Sequence, residues 1–357
     1  MRSYHIAVLP GDGIGPEVVA EGLKVLRRAE ALFGGFRLEC ETLAAGARCY
    51  LKEGDPLPPH TLERAHAADA IYLGAMGDPA IRYPDGTELA PQVTIRFALD
   101  LYAGIRPARL YPGVPPVLTN RQPINFVVVR ESTEGLFASM GGGSVLREET
   151  AVDTQVITRR GTERVVRAAF ELARQRGGRR KVTCVDKANI FKSFAFFRRV
   201  FAEVAREYPD VEHDFGYVDA IAMKLVLAPE QFDVLVTENM FGDILSDLAA
   251  GIVGGLGMAP SADIGDAHAV FQPCHGTAPD IAGKGIANPL AAILSAAMML
   301  AWLGERRADA ALRQAGAAIE RAVAEGLSRR ELLGPDLGGA RATPEIGARV
   351  AALLEPG

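Results

Sequence analysis

The sequence predicts an α/β fold made of two domains, and three observations predict it. Short apolar or β-branched runs alternate with longer helical patterns, as expected of sheets covered on both faces. At 357 residues the chain exceeds one average domain. With 48% hydrophobic and 23% charged residues it can bury a core and remain solvated, which excludes a disordered chain.

The elements follow in order. Residues 6–9 read as a strand leading into a helix over 16–31, and residues 70–73 and 126–129 read as buried strands. Residues 182–185 precede a helix over 191–206, and residues 232–236 precede one over 241–250. Three further helices are predicted at 291–303, 308–325 and 344–354. The longest apolar segment, 290–303, contains Ser295 and falls short of the roughly 20 residues a bilayer requires, so a buried helix is predicted there and no membrane partner. The Pro-rich segment 106–116 and the Gly-rich segment 251–260 are the strongest breaks. Residues 1–102 plus 255–357 are therefore expected to fold together around an inserted domain, 103–254.

Charge and cysteine usage narrow the function. Lys plus Arg total 39 against 44 Asp plus Glu, and a net charge of −5 argues against nucleic acid as a partner. Cys40, Cys49, Cys184 and Cys274 form no CxxC pair, so neither a disulfide framework nor a zinc site is expected, and the localisation expected is cytoplasmic. The first apolar run is interrupted at Pro10, too early for a secretory signal.

Several motifs carry chemistry. Gly11-Asp-Gly13-Ile-Gly15 joins a strand to a helix, where a phosphate loop or merely a tight turn would sit. Its spacing is GxGxG, so the GxGxxG Rossmann fingerprint is not met. Asp243 and Asp247 lie one helical turn apart in the apolar sequence Phe-Gly-Asp-Ile-Leu-Ser-Asp-Leu. An isolated pair of that kind is usually a solvated face; here the apolar context favours a divalent cation, Mg²⁺ or Mn²⁺, between them. Arg96, Arg106 and Arg130 stand in apolar surroundings and need anions, either local carboxylates or a small dicarboxylate held by bidentate bonds. Lys187 follows an apolar strand, a structural place or one suited to proton transfer, and Asp219 adds a third candidate metal ligand. Residues 272–289, dense in Gly and Pro with His275, Asp280 and Asn288, describe a shaped loop able to wrap a nucleotide.

Taken in register, these motifs resemble the β-decarboxylating dehydrogenases: isopropylmalate, homoisocitrate, isocitrate and tartrate/D-malate dehydrogenases. The resemblance spans essentially the whole chain, from 11–17 through Arg96 and 100–107, 130–135, 186–189, 217–220 and 242–248 to 275–289. It implies a two-domain isopropylmalate/isocitrate dehydrogenase-like fold. It also implies a homodimer with shared active sites, in which 103–254 carries the metal ligands and dimer interface and the other domain binds the nucleotide. Arg96, Arg106 and Arg130 would clamp the substrate's carboxylates, with Gln92 and Val93 facing its C3 substituent. Asp243, Asp247 and the partner's Asp219 would hold the metal, and the partner's Lys187 would take part in deprotonating the hydroxyl. His275, Gly276, Thr277, Ala278, Asp280 and Asn288 would bind the cofactor, and the carboxylate of Asp280 favours NAD over NADP by repelling a 2′-phosphate.

The chain departs from the family's pattern where chemistry is at stake. Phe137 stands where a tyrosine hydroxyl usually helps protonate the enolate left by CO₂ loss, Gln272 replaces a usual glutamate, and Cys274 replaces a common valine. Gln92 and Val93 replace the leucines that receive an isopropyl group, and a buried glutamine prefers a polar partner. The first expectation is therefore an NAD- and metal-dependent oxidative decarboxylation of a 3-substituted malate. The alternatives are a tartrate/D-malate dehydrogenase that decarboxylates poorly, a non-catalytic nucleotide- and metal-binding paralogue, and, least favoured, a metal-dependent hydrolase.

Overall fold

Alternate residues of the central strands bury to opposite sides, which is what places a helical layer on each face of one sheet. The computed structural model describes residues 1–119 and 123–356; residues 120–122 and 357, which fall within the expected domain spans, lie outside the described residues. The N-terminal part forms β1 (Arg2–Gly11), α1 (Gly15–Phe33), β2 (Phe36–Thr42), α2 (Ala47–Glu53), α3 (Pro59–Ala67), β3 (Ala70–Ala75) and α4 (Pro91–Ala98). Next come β4 (Ala103–Arg109), β5 (Asn125–Glu131), a hairpin of β6 (Ser144–Leu146) and β7 (Thr150–Val152), α5 (Arg159–Gln175) and β8 (Lys181–Asp186). They are followed by α6 (Lys192–Ala205), β9 (Glu212–Tyr217), α7 (Val218–Leu227), β10 (Val234–Thr237) and α8 (Asn239–Ile252). The chain closes with β11 (Pro260–Ile264), β12 (Ala269–Pro273), α9 (Leu290–Arg306), α10 (Ala310–Ser328) and α11 (Thr343–Ala352).

Ten strands form one mixed sheet in the order β2-β1-β3-β12-β11-β4-β5-β10-β8-β9. Pairing is parallel except around β11, which is antiparallel to both β12 and β4, and between β4 and β5. Ile6, Val8, Val127 and Val129 pack on one face with α1, α5, α6, α9, α10 and α11. Ala7 and Leu9 pack on the other face with α3 and α4, and Phe126 and Val128 with α7 and α8. Each Val, Leu, Ile or Phe side chain so removed from water contributes roughly 1.5–3 kcal/mol.

Every expected strand and helix is present with ends shifted by a few residues. The helix expected from 308 starts later because Asp309 caps α10, accepting from Ala311 N at 3.0 Å and Leu312 N at 3.4 Å. The segment 290–303 is buried in α9, where Ser295 Oγ lies 2.8 Å from both Gln272 O and Ala291 O and shares its one proton between them. Among the described residues no helix is long and apolar enough to cross a membrane.

One expectation is corrected. The break placed at 106 is a central strand: β4 runs through Arg106 and Pro107 to Arg109. Proline is tolerated there because pairing with β11 ends at Ile105, so no ladder bond is required of residue 107 on that side.

Candidate active site

The face covered by α4 and α8 holds a cavity of about 300 Å³ lined by Gln92, Val93, Arg96, Arg106, Arg130 and Phe137, with Asp243, Asp247 and His275 at its wall. Strand alternation explains why. Arg106 and Arg130 share the parity of Ala108, Phe126 and Val128, which pack on this face. Gly242 of α8 lets Arg130 pass, since a Cβ there would lie 2.7 Å from the arginine's own Cβ and Cγ.

All three arginines are buried, at 8%, 7% and 2% exposure, so each must find anions or acceptors. Arg96 Nε donates to Asp263 Oδ2 at 3.1 Å and Arg106 Nη2 to Asp263 Oδ1 at 3.4 Å. Arg106 Nη1 reaches Cys274 Sγ at 3.2 Å, while Arg106 Nε has no partner. Arg130 pairs with Asp243 through Nη1, and its Nε and Nη2 donate to Asn239 Oδ1 at 2.9 and 2.6 Å. Burial, joined by the charge of Arg96, pulls the Arg130 guanidinium down to about 10. Burial alone would raise the Asp263 carboxyl, but the charges of Arg96, Arg106 and Arg130 outweigh it and hold the group below its ordinary value. Sequence reading missed Asp263; the available signal was a lone charge inside the apolar strand Pro-Ser-Ala-Asp-Ile.

Glu238 sets the position of the two α8 carboxylates. Its side chain caps the helix, accepting from Phe241 N at 2.7 Å and Met240 N at 3.1 Å, so Asp243 and Asp247 follow one turn apart on the cavity side. Burial, then the charge of Asp243, pushes the Asp247 carboxyl up. Such a pair suits a hard divalent ion.

Lys187 and Asp219 meet each other but not this cavity. Lys187 Nζ donates to Asp219 Oδ1 at 2.6 Å, at the mouth of β8 and the first turn of α7, and neither lines the pocket of the arginines. The hydrogen bond from Lys187 holds the Asp219 carboxyl below its ordinary value. Among the described residues of one chain, no three His, Cys, Asp or Glu side chains come together as a metal site.

Residues 274–276, the start of the loop over 274–289, line the cavity. His275 Nδ1 lies 2.9 Å from Gly276 O, an acceptor only, so the proton sits on Nδ1 and leaves Nε2 a buried acceptor without a partner. Burial lowers the His275 pKa, keeping the ring neutral. Thr277 is buried, Ala278 takes a φ of 39°, and Asp280 projects into solvent. Asn288 anchors the loop's end, its Nδ2 donating to Asp336 Oδ2 at 2.9 Å and its Oδ1 accepting from Leu290 N at 3.0 Å.

The glycine turn is structural. Ile14 N already donates to Thr277 O at 2.9 Å, and a Cβ on Gly13, whose φ is 54°, would lie 2.0 Å from that same oxygen. Asp12 accepts from Ala47, Arg48 and Gly77 backbone N–H groups at 2.6, 3.0 and 2.9 Å. The turn braces the loop that follows β12, and the phosphate-cradle alternative is not supported because the Ile14 N–H at the helix start is already engaged.

Phe137 and Gln92 both line the cavity, and Gln92 Oε1 is buried without a partner. Both departures from the family pattern thus face the space a substrate would fill.

Comparison with known proteins gives the chain's family. The family model described as isocitrate/isopropylmalate dehydrogenase covers residues 5–350. A 3-isopropylmalate dehydrogenase from Corynebacterium efficiens is 46% identical, over 98% of this chain and 99% of the relative. A 3-isopropylmalate/3-methylmalate dehydrogenase from Methanocaldococcus jannaschii is 44% identical, over 98% of each. The crystal structure of an isocitrate dehydrogenase from Methylococcus capsulatus superposes with a TM-score of 0.87 at 40% identity, over 98% of this chain and 99% of that one. The shared length, fold and motif register place the chain in one lineage: it belongs to the isocitrate/isopropylmalate dehydrogenase family.

Proposed function

We propose that this protein carries out the NAD- and divalent-metal-dependent oxidative decarboxylation of a 3-substituted malate, in a site completed by a second copy of the chain. The observation that carries this reading is the convergence of Arg96, Arg106 and Arg130 on one cavity that also holds Asp243 and Asp247. A hydroxy-dicarboxylate would take its place among the guanidinium groups, with the partnerless Nε of Arg106 as one waiting donor.

Asp243 and Asp247, with Asp219 from a second copy, would hold Mg²⁺ or Mn²⁺, which supplies Lewis-acid polarisation of the substrate hydroxyl when bound. Lys187 of that copy, its Nζ steered by Asp219, would move the hydroxyl proton. His275, Gly276, Thr277, Ala278 and Asp280 would hold NAD, the hydride acceptor, with Asn288 fixing the loop. On this reading residues 1–102 plus 255–357 form the nucleotide-binding domain and 103–254 the metal and dimer domain, in keeping with the strand order. The exposed Val145 and Leu146 of the β6–β7 hairpin, 70% and 57% accessible, support self-association.

A second reading rests on Gln92. Its buried, partnerless Oε1 favours a C3 substituent that donates a hydrogen bond, as the hydroxyl of tartrate does, over an isopropyl group. The test is NADH formation with NAD and Mn²⁺ against isopropylmalate, D-malate, tartrate, isocitrate and homoisocitrate, with CO₂ trapped in parallel. NADH with matching CO₂ on isopropylmalate supports the first reading, and NADH only on tartrate or D-malate the second. Silence across the panel overturns both.

A further inference from the structure

Asp263 belongs to none of the motifs that point to the site, yet two of its arginines are built around it. It is wholly buried on β11, and its oxygens are divided between Arg96 of α4 and Arg106 of β4, at 3.1 and 3.4 Å. These two elements approach the cavity independently, so the shared carboxylate is what fixes one guanidinium against the other. Neither ion is stable when buried alone, because a desolvated carboxylate or guanidinium without a counter-charge costs several kcal/mol.

Gln272 decides where the negative charge resides. Antiparallel pairing sets Ser261 opposite Gln272, two residues before Asp263, and Gln272 Nε2 donates to Asp263 Oδ2 at 2.8 Å. Gln272 also lines the cavity of both arginines. A glutamate at 272 would put a second carboxylate against the first and compete with it for the guanidinium groups of Arg96 and Arg106. In this chain the junction holds one carboxylate and one neutral hydrogen-bonding partner.

We propose that Asp263 is the positioning residue of the substrate clamp, and that Asp263 and Gln272 form an exchangeable pair in which a single carboxylate, on β11 in this chain, holds Arg96 and Arg106 ready for a dicarboxylate. The proposal rests on the dicarboxylate reading of the cavity. It assigns a role to a residue outside the motifs and explains why Gln272 is neutral.

The test compares Asp263→Asn, Gln272→Glu and the double variant in the full-length protein with Mg²⁺. Calorimetric binding of D-malate and 3-isopropylmalate is measured without NAD, alongside Tm and, with NAD, KM and kcat. Asp263→Asn is expected to raise Kd and KM at least about tenfold with a smaller change in kcat. Gln272→Glu alone should weaken binding, and the double variant should return Kd to within a few-fold of wild type. An unchanged Kd in either single variant overturns the proposal, as does a double variant that regains Tm but not Kd. If Asp263→Asn does not fold, the Gln272→Glu and double-variant arms still decide it. Wild-type protein that binds neither compound overturns the dicarboxylate reading and the proposal with it. Binding without NADH formation overturns only the oxidative reading.

Discussion

The guanidinium of the buried Arg130 lies 5.1 Å over the ring of Phe137, a cation–π contact within the cavity lining. A hydroxyl added to this ring would extend from a group that already lines the cavity. Phe137→Tyr is therefore expected to raise kcat and the CO₂-to-NADH ratio if proton return to the enolate limits turnover. General acids contribute about 10²–10⁴-fold where they act, so even a tenfold rise is a clear signal. An unchanged ratio in CO₂ trapping would show that another group already delivers the proton.

Metal binding is read through the α8 carboxylates. Asp247→Asn removes the like-charge neighbour of Asp243 and is expected to raise Tm in metal-free buffer, most at pH 8. The sign follows from the upward shift of Asp247: the folded state binds that proton more tightly than the unfolded state, so its ionisation destabilises as pH rises. The same variant should lose the thermal stabilisation that Mn²⁺ gives to wild type. A full Mn²⁺ shift in Asp247→Asn would remove Asp247 from the ligand set.

The cap of α8 offers a separate handle. Glu238→Ala leaves the N–H groups of Met240 and Phe241 without their acceptor. A loss of about 1–2 kcal/mol in denaturant unfolding is expected, together with a raised KM for Mn²⁺ as the helix start loosens. Unchanged stability would mean that water replaces the carboxylate without cost.

Stability against pH should also carry the mark of Glu131. Burial pushes this carboxyl up to about 7, although Thr133 and Glu134 donate hydrogen bonds to it. Because its ordinary value is 4.5, the folded state holds the proton across the window from 4.5 to 7 and stability declines as pH rises through it. The decline amounts to on the order of 3 kcal/mol. Glu131→Gln should flatten it, which urea unfolding at pH 5 and pH 8 would reveal; parallel pH profiles for the two proteins would refute the assignment.

Cofactor preference tests the loop. The solvent-facing carboxylate of Asp280 is expected to make kcat/KM for NAD exceed that for NADP by about a hundredfold. Asp280→Lys should narrow that ratio, and comparable efficiency with both cofactors in wild type would contradict the prediction.

Much of this molecule is legible along the chain. Strands buried on both faces, such as 126–129, and helices with one apolar stripe announce themselves through local periodicity, and burial depends on that periodicity. The carboxylates of α8 and the arginines of α4, β4 and β5 were recognisable because each sits in apolar sequence that a charge does not enter without a partner. What the partner is cannot be read locally. Asp263 is 167 residues from Arg96 and 157 from Arg106, and only the insertion of β11 between β12 and β4 brings them together. Residues 106–109 looked like a break because Pro107 lacks an N–H, and only the point at which β11 stops pairing makes that proline harmless. Likewise the glycine turn reads along the chain as either a phosphate loop or a tight turn, and only the bond from Ile14 N to Thr277 O, 263 residues away, decides for the turn. Sequence fixes which side chains need a counterpart, because desolvation is a property of each group; tertiary structure chooses the counterpart, because hydrogen bonds and ion pairs require contact.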